Sequence, residues 1–329
     1  MTTYKDIRGT HIKTVTTDPP APVNGQMWYN STTRIMKGFT ENPAGAWASA
    51  TSLNTATIYR GGSGTVLAGL AWGGQTAPGT KVGNTESWSG SSWTEVNDLN
   101  TGRRSFGGTG TQTAAITAGG AGPSPANAET ETWNGSSWTE VTDMNTGKSD
   151  IATSRGSTTV MLVFGGSTSG GGTVESYNGS SWTEVADLNT ARSGGGGAGA
   201  DNTSALYFGG YEPAASVKNE SWNGSSWTEV NDLNVARGNG TGVGTITSAL
   251  AFSGYNSGLS PDYPVDTEEW DGTSWTEKTN HSANRAGGGS FGTAEACFLI
   301  GGSPPSGGAL STVEEWTAPV NTTVTFTAS

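Results

Sequence analysis

One short phrase constrains this chain more than anything else in it. Trp-Asn-Gly-Ser-Ser-Trp-Thr-Glu-Val stands at 133–141 and again at 222–230. Variants begin at Trp88 (WSGSSWTEV), Tyr177 (YNGSSWTEV) and Trp270 (WDGTSWTEK). The second Trp of each serves as a marker: Trp93, Trp138, Trp182, Trp227 and Trp275. Trp47 joins the same frame, because Leu53-Asn54-Thr55-Ala56 follows it as Leu188-Asn189-Thr190-Ala191 follows Trp182. Successive markers lie 46, 45, 44, 45 and 48 residues apart. A unit recurring at that period buries its apolar face by stacking on its neighbours.

Each interval parses alike. A Leu-Asn-Thr-like segment follows the marker and leads to a basic residue: Arg103, Lys148, Arg192, Arg237 or Arg285. A Gly/Ser-rich stretch comes next, then an apolar run closed by Gly74, Gly120, Gly166, Gly210, Gly254 or Gly302. After a variable loop comes Glu-x-aromatic: Glu86/Trp88, Glu131/Trp133, Glu175/Tyr177, Glu220/Trp222, Glu268/Trp270 and Glu314/Trp316. A short turn returns the chain to the next marker.

No 3.6-residue apolar stripe runs through these units, while strand patterns and Gly/Asn/Ser punctuation recur every few residues. Asn-Gly between two aromatic positions marks a hairpin, since both residues accept positive φ cheaply. The reading is four short strands per unit. The first strand is almost bare of side chains, as in Ser193–Ala200. Such a strand is weak alone and makes sense where backbones crowd, near the axis of a radial assembly. Small inside, apolar next, aromatic outside is the gradient of a propeller blade.

Composition fits that economy. The chain of 329 residues is poor in Leu, Ile, Val and Phe but holds 52 glycines and 13 tryptophans. Each buried Trp removes roughly 150–250 Å² from water, so six marker indoles can stand in for a missing aliphatic core. The expected class is all-β.

These residues resemble the Kelch repeat: a basic residue before strand one, a Gly pair ending strand two, Glu-x-aromatic on strand three, Trp on strand four. The resemblance covers roughly 45–317, and it implies a β-propeller that serves as a binding platform, a scaffold or, in some members, an enzyme. The count of Gly-pair, Glu-x-aromatic and marker strands predicts six blades. The chain enters on a marker strand and leaves on a Glu-x-aromatic strand, so the N-terminal strand is expected to close the last blade. A rival register lets Val320–Ser329 supply that outer strand. The domain reading is 1–44 as an attachment segment with a β-hairpin, 45–318 as the propeller, and 319–329 as a C-terminal tail strand.

Strand alternation puts the basic residues and the glutamates on one face of the disc. Arg103 with Glu131, Lys148 with Glu175, Arg192 with Glu220, Arg237 with Glu268 and Arg285 with Glu314 are then expected as blade-internal ion pairs. A group copied into every blade is poorly suited to unique chemistry. The first blade has Thr57 at the basic position, with Arg60 the other candidate for its role.

Other chemistry is sparse. The two histidines, His11 and His281, and the lone Cys297 build no metal motif and no internal disulfide. The glycine runs lack the lysine and helix of a phosphate-binding loop. A net charge of −12 with 16 Lys+Arg disfavours nucleic acid, no apolar run is long enough for a membrane helix, and the N-terminus has no secretory apolar core. The expectation is a protein that is no enzyme and needs no cofactor or metal.

The loops between strands two and three vary in length and chemistry while the rest repeats, as in a binding surface on a constant scaffold. Tyr211, Glu212, Tyr255, Asn256, Asp262 and Tyr263 fall in two adjacent loops and are the candidate ligand contacts, suited to sugar rings or a protein partner. Residues 24–39 read as strand, turn, strand. Gly25-Gln26-Met27-Trp28-Tyr29-Asn30-Ser31 there resembles hairpins of tailed-bacteriophage virion proteins, and the WNGSSWTE propeller resembles proteins of marine phages. The resemblance implies a tail-fibre or decoration protein on the virion surface. Residues 1–44 would hold it to other virion proteins or sister chains as a homo-oligomer, leaving the propeller to meet host glycan or protein. A cellular Kelch-type interaction module and a glycan-processing propeller enzyme are the rivals.

Overall fold

The computed structural model describes residues 12–20, 25–40, 45–123, 127–167, 171–319 and 322–326. Among them every regular element is a strand. The chain forms two compact units, 46–317 on the one hand and 1–45 with 318–329 on the other.

The larger unit is six four-stranded sheets, each an antiparallel meander. Five are contiguous in sequence, spanning 61–96, 107–141, 152–185, 196–230 and 241–278. The sixth takes Gly289–Gly292, Ala296–Ile300 and Val313–Thr317, and its fourth strand is Ala46–Ala50. This is a β-propeller. Trp316 sits opposite Trp47, just as Trp88 faces Trp93, Trp133 faces Trp138 and Trp222 faces Trp227. The rival register through Val320–Ser329 does not hold for its described residues: Thr322–Phe326 pairs antiparallel with Ile35–Thr40 in the smaller unit.

The Asn-Gly signal produces a four-residue turn rather than a two-residue one. In its best-formed copies the Asn134 side-chain oxygen accepts from the amides of Ser136 and Ser137 at 2.9 and 3.0 Å, and Gly135 takes φ 95°. The turn sets the register that stacks the two indoles, 5.6 Å apart between Trp133 and Trp138.

Buried side chains gather between consecutive sheets rather than in one central core. Trp72 of the first sheet packs with Phe106, Trp133 and Trp138 of the second. Ile116 meets Met161, Val163 and Trp182 across the next gap. The series continues through Phe164 with Tyr207 and Trp227, Phe208 with Trp275, and Phe252 with Leu299 and Trp316. Phe298 and Ile300 of the sixth sheet pack against Trp88 and Trp93 of the first.

Both backbone crowding and this packing explain the bare first strands: a Cβ at Gly64 would stand 2.3 Å from the Ala68 carbonyl oxygen and one at Gly199 2.2 Å from that of Ser204. A Cβ at Gly108 would stand 2.4 Å from Trp72 Cζ2, and one at Gly242 2.4 Å from Phe208 Cζ. Aromatic rings of the preceding sheet lie directly on these glycines.

The smaller unit holds the expected hairpin, Met27–Asn30 against Ile35–Thr40. Two strands extend it: Lys13–Val15, parallel to Met27–Asn30, and the C-terminal Thr322–Phe326. Asp18 accepts from Trp28 Nε1 at 2.9 Å and Asn30 Nδ2 at 2.8 Å and also contacts Lys37. The hydrogen bond from Asn30, followed by those from Lys37 and Trp28, lowers its carboxyl to about 2. Much of the Pro-rich stretch after Asp18, and His11, lie outside the described residues.

Candidate functional site

The site begins in the connections that lead into each first strand. Tyr59, Ser105, Asp150, Gly194, Asn239 and Gly287 each stand twelve residues after a marker Trp, and each has φ between 49° and 64°. Every one donates its amide to the carbonyl of the preceding member, from Ser105 to Tyr59 round to Tyr59 to Gly287, at 2.6–3.0 Å. The six hydrogen bonds form a cycle. Left-handed backbone at the non-glycine members costs on the order of 1 kcal/mol each, which the shared hydrogen bonds offset.

Inside this collar is a cavity of about 120 Å³, walled by the glycine-rich first strands. Tyr59, Ser105, Asp150 and Asn239 bring side chains to the mouth, and Arg155 lies at its inner end.

Tyrosines gather beside the mouth. Asn239 Nδ2 donates to the hydroxyls of Tyr59 and Tyr211, each at 3.4 Å. Tyr255 and Tyr263 pack edge to face at 5.2 Å, and the Arg104 guanidinium lies 5.2 Å from the Tyr59 ring centre. Burial, then the neighbouring phenols Tyr59, Tyr255 and Tyr263, push the Tyr211 hydroxyl up. Burial likewise raises Tyr59. Tyr59 and Tyr211 remain neutral donors at neutral pH, and the cluster presents ring faces and hydroxyls together.

Of the residues singled out in the sequence, Tyr211, Tyr255 and Tyr263 come together here. Glu212 is occupied within its own loop, accepting from Ser216 Oγ at 2.8 Å and Lys218 Nζ at 3.2 Å. Asn256 shapes its loop, donating to the Ala236 carbonyl at 3.0 Å and accepting from the Gly258 amide at 2.9 Å. Asp262 is exposed at the loop tip, its carbonyl receiving the Asn256 amide. Tyr59, Asn239, Arg104 and Arg155 escaped the sequence reading. The constant twelve-residue offset from the marker would have aligned the collar positions.

The repeated ionic residues do something else. Arg192 meets Glu220 at 3.2 Å, Arg237 meets Glu268 at 2.8 Å and Lys148 meets Glu175 at 3.9 Å; Arg103–Glu131 and Arg285–Glu314 are direct contacts. All these side chains are buried. Arg60 fills the first sheet's vacancy, 3.8 Å from Glu86, and burial lowers it to about 10. Each carboxylate also clamps the incoming connection. Glu220 accepts from the Asn189 amide at 2.7 Å, its side chain at 3.0 Å and the Thr190 amide at 3.2 Å. With their oxygens so engaged, these glutamates hold the loops that carry the collar and are not disposed as acid–base pairs.

Among the described residues no group of three or more His, Cys, Asp or Glu side chains could hold a metal. Cys297 is fully buried, and desolvation raises its thiol far above its ordinary value, which leaves it inert. No helix in the described residues is long and apolar enough to cross a membrane.

No family model matches the chain, and no curated protein matches it. Among solved structures it is similar to YjhT, a Kelch-like β-propeller, at 12% identity and a TM-score of 0.68. The match covers 83% of this chain and 99% of that one. At that identity the likeness establishes the fold alone.

Proposed function

We propose that this protein is a non-enzymatic recognition propeller, and that its tyrosine-rich mouth face binds host-surface glycan. The observation that carries the reading is the meeting of Tyr59 and Tyr211 on Asn239 at the cavity mouth, with the Tyr255–Tyr263 ring pair beside Tyr211. Ring faces stack on the apolar face of a sugar, and phenols and an amide supply the hydrogen bonds its hydroxyls need. The six sheets are six blades of a closed ring, with Ala46–Ala50 completing the last. The cyclic collar and the packing of the sixth sheet on the first support that closure. The setting is a virion appendage, attached through residues 1–44 to other virion proteins or sister chains; the hairpin's likeness to phage virion segments supports it. A cellular interaction module would be absent from purified particles, which mass spectrometry of virions decides.

The ligand test is a glycan array probed with wild type, Tyr255→Ala and Tyr263→Ala. Each variant is expected to lose its glycan signal by about tenfold or more, the scale of a lost aromatic anchor. Unchanged binding in both variants removes this surface as the site. Binding of a purified host protein with no array signal moves the reading to a protein partner.

A further inference from the structure

Arg155 breaks the repeat at the one place where a break leaves a cation in the channel. Counting five residues on from each collar position, five sheets carry glycine: Gly64, Gly110, Gly199, Gly244 and Gly292, with φ between 103° and 133°. The third carries Arg155. The ion pairs recur in every sheet and hold loops, but this guanidinium occurs once and cannot be explained as part of the scaffold's copying.

Its side chain crosses the channel to the first strands of the fifth and sixth sheets. Nη1 donates to the Ser290 carbonyl at 3.1 Å, and Nη2 to Ser290 Oγ at 2.9 Å and to the Gly242 carbonyl. Arg155 therefore lines both the mouth-side cavity and a second small space beyond it, and forms the floor of the first. Among the described residues no carboxylate lies within ion-pair distance of it, and its buried Nε has no acceptor. Burial lowers it to about 10, so it stays charged at neutral pH. A part-buried cation that faces only neutral dipoles, with one N–H unpaired, is left with charge that an anion can complete.

The rest of the cavity narrows the anion's chemistry. Ser105, Thr153 and Thr241 contribute hydroxyls to the wall and Tyr59 a phenol at the mouth, while Asp150, also at the mouth, disfavours a ligand charged along its whole length. We propose that the axial cavity binds a small polyhydroxylated carboxylate, its carboxyl group on Arg155 and its hydroxyls against the Ser/Thr wall. The site shares Tyr59 and Asn239 with the edge of the tyrosine face but is centred on Arg155, so variants at Arg155 and variants at Tyr255 and Tyr263 tell the two apart.

Isothermal titration of the full chain with sodium glucuronate, and with glucose at matched ionic strength, tests this. Glucuronate is expected to bind at least about tenfold more tightly than glucose, and Arg155→Gln to erase that preference. Arg155→Gly, which restores the residue of the other five sheets, serves as a second variant. Far-UV circular dichroism and the melting temperature report whether each folds. Tyr255→Ala and Tyr263→Ala should leave the glucuronate preference intact. Equal affinity for the two sugars, or a preference that survives in both folded Arg155 variants, overturns the proposal.

Discussion

Replacing Trp182 with alanine lowers the free energy of unfolding by about 3–5 kcal/mol. Trp182 is only 6% exposed and lies in the seam between the second and third sheets, against Ile116, Met144, Met161 and Val163. Its ring centre is 4.9 Å from that of Tyr177, and its Nε1 donates to the Thr142 carbonyl at 3.0 Å. Burial of an indole is worth on the order of 4–6 kcal/mol as an upper bound, at about 25 cal/mol per Å². Small relaxations at the seam reduce the loss below that bound. The Thr142 carbonyl left behind can turn to water, so the hydrogen bond adds little. Urea titration, compared at constant slope, should show the midpoint falling accordingly; a loss under about 1 kcal/mol would mean that the seams do not carry the stability.

His281→Leu should remove most of the chain's acid sensitivity between about pH 6.5 and pH 4. The imidazole occupies the position held by Leu53, Leu99, Leu188 and Leu233 in other repeats and is 2% exposed. Burial lowers its pKa from 6.5 to about 4; Glu314 opposes the shift, and Arg285 and Arg237 add to it. The unfolded chain therefore takes up a proton near 6.5 that the folded chain refuses until about 4. Stability from the neutral ring is complete above the upper value and is lost as pH falls toward the lower, by up to about 3 kcal/mol. Unfolding free energies from urea titration at about pH 7.5 and about pH 4.5 should differ by roughly 2–3 kcal/mol less in His281→Leu than in wild type. Equal pH dependence in the two proteins would contradict the assignment.

What could be read from the sequence was whatever the repeat writes locally. The marker Trp and Glu-x-aromatic positions specify hairpins, so the register that sets Trp316 against Trp47 follows from the same pattern as Trp222 against Trp227. The contacts between Arg237 and Glu268 and their equivalents follow from alternation along the strands. The mouth was only half legible. Tyr211, Tyr255 and Tyr263 stood out because their loops vary, but Tyr59 and Asn239 come from connections whose convergence is defined only when six left-handed residues meet. Arg155 stands in one of the stretches read only as Gly/Ser-rich. The parallel strand Lys13–Val15 and the partner of Thr322–Phe326 depend on long-range pairing that no local pattern encodes.

The account rests on a cycle of six sectors joined through the collar and through the strand Ala46–Ala50. An experimental density map of the intact chain, by crystallography or by electron microscopy viewed along the axis, tests it most directly. The predicted result is six four-stranded blades around a narrow channel, with the Trp47 strand at the rim of the blade that ends at Thr317. An open arc, a different number of blades, or a last blade without the Trp47 strand would contradict it.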